Sequence, residues 1–186
     1  MIEKRAVERD TFLAAMRRAA ATVTVVTTAG PAGRLGLTVS SMCSVSADPP
    51  SLVVGIHSGS LVATAIARNS CFAVNLLEAS QYEISEIFAR HPPEVRRDHL
   101  ESSAWNNLAT GAPALDTAAS TFDCHLVAHH IFGTHHLFIG LVVAVAHAER
   151  RPLIHHDRRY CALLPQAQAP DLADSEAALG ALGWGI

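Results

Sequence analysis

One run constrains this chain more than any other: Gly36-Leu37-Thr38-Val39-Ser40-Ser41-Met42-Cys43-Ser44-Val45-Ser46-Ala47-Asp48-Pro49-Pro50. It is rich in strand-forming residues, carries five hydroxyls (Thr38, Ser40, Ser41, Ser44 and Ser46) and stops at a double proline. Alternating apolar and hydroxyl residues give a strand with one face for a core and one for something else. Small hydroxyls and strand-end N–H groups suit an anionic or carbonyl-rich ligand, because they offer hydrogen bonds without bulk. A solvated Ser/Thr face of an antiparallel sheet has the same pattern. The run alone leaves both readings open.

The neighbouring segments extend the pattern. Asp10 offers a cap for a helix with Phe12, Leu13, Met16 and Ala20 on one face. Residues 22–28 are largely β-branched and read as a strand, 29–33 as a turn, and 35–41 as the returning arm of a hairpin. A third strand is expected over 51–57. Ser58-Gly59-Ser60 then opens a short helix with Leu61, Ala65 and Ile66 inward, ending near Asn69. Residues 71–77 read as a fourth strand, and Ser80-Gln81-Tyr82-Glu83 as a capping box for a helix that His91-Pro92-Pro93 ends. Residues 94–111 are polar and irregular, with Trp105 their one large anchor. Residues 121–131 and 137–147 are two long β runs joined at Phe132-Gly133-Thr134. From Gln166 the chain turns Ala-, Pro- and Gly-rich, so a domain is expected over 1–164. The tail, 165–186, is either a short helix or irregular.

Short antiparallel strands with helices between them suggest a closed or partly closed barrel. The formal net charge of −3 gives no overall attraction to nucleic acid or to an anionic membrane. The four cysteines are far apart and never form C-x-x-C, which fits free thiols in a reducing cytoplasm. No apolar run reaches the ~18 residues of a membrane span, and Met1-Ile2-Glu3-Lys4-Arg5 does not lead into an apolar signal core. There is no G-x-G-x-x-G after a strand, no Walker A loop and no G-x-S-x-G elbow. Eleven histidines raise the question of a metal. On a regular strand His125 and His129 share a face while His130 points away, and His147 joins them only if the register allows. No Cys or acidic residue completes a typical zinc set, so no metal is expected.

The order of these pieces resembles the flavin reductase-like family, the short-chain NAD(P)H:flavin oxidoreductases that supply reduced flavin to two-component monooxygenases. The resemblance runs through residues 12–28, the 36–50 run, Ser51-Leu52-Val53-Val54-Gly55-Ile56, Cys71-Phe72-Ala73-Val74-Asn75-Leu76-Leu77, Gly111-Ala112-Pro113, Gly133-Thr134-His135-His136-Leu137-Phe138-Ile139-Gly140, Pro152-Leu153 and Tyr160. It implies an FMN-binding split β-barrel, usually a homodimer. By correspondence, Thr38, Val39, Ser40, Ser41, Met42, Ser44 and Val45 lie along the flavin ring and ribityl chain, and Gly59, Ser60 and Leu61 near its phosphate. Asn75 and Tyr160 are further motif positions. His135 takes the place of the histidine that lies over the flavin and contacts the nicotinamide nucleotide. Two departures stand out. Thr134 replaces the family's usual Asp, removing a negative charge beside the imidazole, and the 58–61 turn lacks the Lys or Arg that many members carry there. Arg34 and Arg68 are the candidates to supply that charge.

The function implied is reduction of FMN or FAD by NADH or NADPH, with reduced flavin passing to a partner monooxygenase. Two other readings stay open: a non-catalytic flavin carrier or redox sensor, and a split-barrel protein for another cofactor, such as a haem or cobalamin type served by the His-rich hairpin.

Overall fold

The computed structural model describes residues 6–163; the expectation for the tail lies outside them. Helix α1 (Arg9–Met16) precedes β1 (Ala21–Thr22) and β2 (Thr24–Thr28). Strands β3 (Leu35–Val39), β4 (Met42–Ala47) and β5 (Pro50–His57) lead to α2 (Leu61–Asn69) and β6 (Cys71–Leu76). Helices α3 (Tyr82–Arg90) and α4 (Pro93–Leu100) come next, then β7 (Trp105–Asn107) and β8 (Pro113–Leu115). The long arms β9 (Ser120–Phe132) and β10 (His135–His147) and the short β11 (Leu153–His156) and β12 (Arg159–Ala162) complete the order.

Seven strands form one antiparallel sheet in the order β3-β2-β6-β9-β10-β5-β4. Its two edge strands, β3 and β4, are separated along the chain only by Ser40 and Ser41. Two residues span at most ~7 Å, far less than a flat sheet of seven strands is wide. The sheet must therefore curl until its edges meet, which makes a split barrel. Just before β4, Ser41 continues the β4–β5 pairing by one residue: its Oγ donates to the Gly55 carbonyl, and the Gly55 N–H donates 2.9 Å to the Ser41 carbonyl. The 36–50 run is thus two strands on opposite edges, not one. Two smaller sheets, β1-β11-β12 and β7-β8, flank the barrel.

Strand β2 is buried on both faces, and alternation divides its side chains. Val26 points into the barrel with Val54, Ile56, Phe72, Val74 and Phe138, where α2 inserts Val62, Ala63 and Ile66. Val25 points outward into a second core with Phe88, Leu100, Trp105, Leu115 and Leu153, roofed by α3 and α4. Gly140 lets the barrel close tightly: a Cβ there would lie 2.5 Å from Phe72 Cζ and 2.7 Å from Cys124 Cβ. Adding a methyl group in so dense a core costs ~1–3 kcal/mol.

Several local expectations are corrected. Glu8, not Asp10, occupies the N-cap of α1, and no side chain caps it. The Ser80 capping box does not form, because the Ser80 hydroxyl bonds Glu78 while Gln81 Oε1 accepts from the Glu78 N–H at 2.8 Å. Leu61 is not buried; at 65% exposure it faces outward, and Val62, Ala63, Ala65 and Ile66 form the inner face of α2. The polar segment after Pro93 contains α4, held through Leu100, its one buried residue. His125 and His129 do not share a face, because the β9–β10 register shifts at Val127 and the resulting bulge reverses the alternation. His147 pairs with Ser120 at the far end of the hairpin, away from both.

Candidate functional site

The split between the sheet edges opens from the Ser41–Gly55 contact toward the start of α2. A cavity of about 240 Å³ lies there, lined by Leu35 and Gly36 of β3, Gly59, Ser60, Leu61 and Val62, and Pro93, Arg96 and Arg97 of α4. Ser60 is the N-cap of α2, and its hydroxyl accepts from the Val62 N–H at 3.2 Å. The helix start, with its unsatisfied N–H groups, favours an anion. The charge missing from the 58–61 turn is supplied here by Arg96 and Arg97, which stand some 35 residues further along the chain. Arg34 and Arg68, the sequence candidates, line the adjoining cavity instead. Arg96 Nε is buried without a hydrogen-bond partner, so the residues present suit an oxyanion such as a flavin phosphate.

The β9–β10 turn is fastened beside this mouth. The Ser58 N–H donates to the Thr134 carbonyl at 2.9 Å, and the Gly59 N–H donates to His57 Nδ1 at 3.0 Å. His135 pairs with His57 across β10 and β5, their rings edge-on at 5.4 Å. Thr134 Oγ1 lies 3.0 Å from His135 Nδ1. The hydroxyl thus takes over the orienting contact that a carboxylate at position 134 would make, without its charge. His136 points the other way, stacked on His129 at 4.7 Å with Nδ1 and Nε2 2.6 Å apart. Burial and the neighbouring His136 and His130 keep His129 below the usual histidine range.

The ring and ribityl candidates are divided. Thr38, Val39, Ser40 and Tyr160 line a second cavity of about 240 Å³ with Ser85, Glu86, Arg90 and His155. Thr38 Oγ1 donates to the Ser85 carbonyl at 2.8 Å. Tyr160 donates to Glu86 Oε1 at 2.7 Å and lies 3.0 Å from Ser85 Oγ. Burial and the Glu86 contact raise its phenol above the ordinary tyrosine range, so it remains a donor. Ser40 and Ser41 line a third cavity, of about 450 Å³, against Leu13, Met16 and Arg17 of the α1 region and Arg158. Met42 packs on the barrel core, whereas Ser44 and Val45 lie on the exposed edge strand β4. One protomer therefore does not gather all these residues into a single pocket.

Asn75 needs correction as a ligand contact. It is fully buried, and its amide donates to the Val25 and Pro113 carbonyls and to Thr27 Oγ1. Its oxygen accepts from the Leu115 N–H at 2.8 Å and the Thr121 hydroxyl at 3.0 Å. All its hydrogen-bonding capacity is spent joining β2, β6, β8 and β9. Arg96, Arg97 and His57 are the additions that sequence reasoning missed. Only their convergence in space, not any local motif, marks them.

Residues 16–164 match the flavin reductase like domain, and the chain belongs to that family. It is 41% identical over 160 residues to the FMN reductase (NADH) RutF of Ancylobacter novellus, an alignment covering 85% of this chain and 87% of that protein. The flavin reductase SMOB of the styrene monooxygenase of Pseudomonas putida S12 superposes with a TM-score of 0.72 at 29% identity, over 83% of this chain and 99% of that one. The NADH:FAD oxidoreductase SgcE6 of Streptomyces globisporus C-1027 gives 0.78 at 26% identity, over 89% and 99%. Among the described residues, no helix is long and apolar enough to cross a membrane.

Proposed function

We propose that this chain is an NADH-dependent flavin reductase whose reduced flavin leaves to serve a monooxygenase. The observation that carries the reading is the wedge between β3 and β5, where a helix start, two arginines and the His57–His135 pair meet. When bound, the flavin would supply the chemistry as acceptor of the nicotinamide hydride. The chain's own residues bind, orient and exclude water. Ser60, Arg96 and Arg97 hold the phosphate, and Gly59 keeps the approach to it open. Ser40, Thr38 and Val39 lie along the ring and ribityl chain, with Tyr160 a fixed donor at the margin of their cavity. His135, steered by Thr134 and backed by His57, positions the nicotinamide. Hydride transfer itself requires no residue to move a proton.

The active form is a homodimer, because the site residues are spread over three cavities on the protomer and its exposed apolar surface is large. Relatives named as NADH enzymes favour NADH over NADPH. The partner is inferred from relatives such as the reductase of a styrene monooxygenase.

Purified protein mixed with NADH and free flavin tests this. Loss of NADH absorbance that depends on flavin and saturates with it is the expected result. A yellow protein that leaves NADH untouched would instead indicate a carrier or sensor, and a haem-type absorption band another cofactor.

A further inference from the structure

Four of the fourteen Lys and Arg residues of this acidic chain converge on one groove. The cavity at the Ser60 turn, with Arg96 and Arg97, adjoins one of about 390 Å³ lined by Arg34, Thr64, Arg68 and again Arg97. Leu35, Leu61, Pro93 and Arg97 border both, so the two form a continuous trough. Together they fall within the ~300–1,000 Å³ range of small-molecule sites. No acidic side chain lines either compartment.

The arginines come from the turn after β2, from α2 and from α4, so no local sequence requirement brings them together. Arg68 and Arg97 make no ion pair among the described residues, and Arg34 reaches Glu101 only at 3.9 Å. Arg96 Nε, in the first compartment, is buried without a hydrogen-bond partner, and Arg34 Nε, in the second, has only the Glu101 carboxylate at 3.9 Å; no other buried polar side-chain atom of the described residues lacks a hydrogen bond. Unsatisfied buried donors and mutually repelling cations both cost free energy. An anionic ligand relieves both, and two compartments give two anion positions.

We propose that the Arg34–Arg68–Arg97 compartment holds the second phosphate and adenylate of a diphosphate flavin, so that this chain takes FAD in preference to FMN. This rests on the flavin reductase reading. FMN, with one phosphate, fills only the Ser60 compartment. FAD reaches both, and Arg68, which lines the second compartment alone, sets the difference. A charge-assisted contact to phosphate corresponds to about a tenfold change in affinity or more.

The test is titration of the flavin-free full chain with FMN and with FAD, followed by flavin fluorescence, for the native protein, Arg68→Ala and Arg96→Ala. The native protein should bind FAD about tenfold tighter than FMN. Arg68→Ala should erase most of that gap and leave FMN affinity within about twofold, whereas Arg96→Ala should weaken both flavins alike. FMN binding as tight as FAD in the native protein, or an Arg68→Ala variant with its preference intact, overturns the proposal while leaving the flavin reading standing. Failure of both flavins to bind overturns the flavin reading, and this proposal with it.

Discussion

Ser40 and Ser41 are adjacent and chemically identical, yet the fold gives them different work. Ser41 Oγ is spent on the Gly55 carbonyl, continuing the β4–β5 pairing, while Ser40 is exposed and borders two cavities. Ser40→Leu should therefore abolish flavin binding and leave the melting temperature nearly unchanged. Ser41→Ala should do the reverse, costing ~0.5–1.5 kcal/mol of stability with flavin affinity held within about threefold. Flavin titration and thermal melts of both variants check this, and normal flavin binding by Ser40→Leu would make this edge a merely solvated Ser/Thr face. His135 and His136 divide in the same way. His135→Ala should lower kcat/KM for NADH by ~1–3 kcal/mol with little change in flavin affinity, while His136→Ala, facing His129, should alter neither. Equal losses for both variants in steady-state kinetics would remove His135 from the nicotinamide site.

Among the elements, α4 joins the site to the second core. His99 lies between Phe88 and Trp105, with ring centroids 5.5 and 6.1 Å away, and its Nδ1 accepts from the Trp105 indole N–H at 3.2 Å. Burial holds this imidazole below its usual range. The sign follows. Above the unfolded value of ~6.5 His99 is neutral in both states and its contribution is intact. As pH falls below that value the unfolded chain takes the proton first, so stability declines until the lower folded pKa is passed. The melting temperature should drop more between pH 7 and pH 5.5 (~1.5 units across this window) for the native protein than for His99→Phe; parallel pH profiles would show that His99 does not carry the effect. This helix was hidden in the sequence because eight largely polar residues with one buried side chain give no readable face. The hairpins and α2 were legible, since β-branched runs, Gly-containing turns and the Ser60 cap are local signals. The break of the 36–50 run at Ser40-Ser41 was not, because it depends on how the sheet curls. Nor was the bulge at Val127, because register is a property of two strands. In the site, His135 and the Gly59–Ser60 turn could be read from motif order. The arginine trough could not, as its members meet only after folding.

At the scale of the whole molecule, one protomer leaves surfaces that water alone does not account for. Helix α1 has no buried residue, with Phe12 and Met16 55% and 51% exposed. An isolated helix of eight residues is unstable in water, so its apolar face requires a cover. Strand β4 lies at the sheet edge with Val45 53% exposed, an unpaired edge of the kind that folded proteins usually cover or blunt. Val127, Ile131, Phe132, Val143 and Val145 extend the apolar surface along the long hairpin. Leu13 and Met16 also line the cavity of Ser40 and Ser41, so in the proposed homodimer a cover over α1 would also bound that cavity. Light scattering at micromolar concentration should give a homodimer, with an interface on the order of 2,000 Å². Phe12→Asp combined with Val45→Asp should shift it to monomer and weaken flavin binding in parallel, because each lies on the apolar surface and neither lines a cavity of the site. A native protein that stays monomeric, or a monomeric variant that binds flavin with native affinity, would separate assembly from the site and leave the protomer to bind flavin alone.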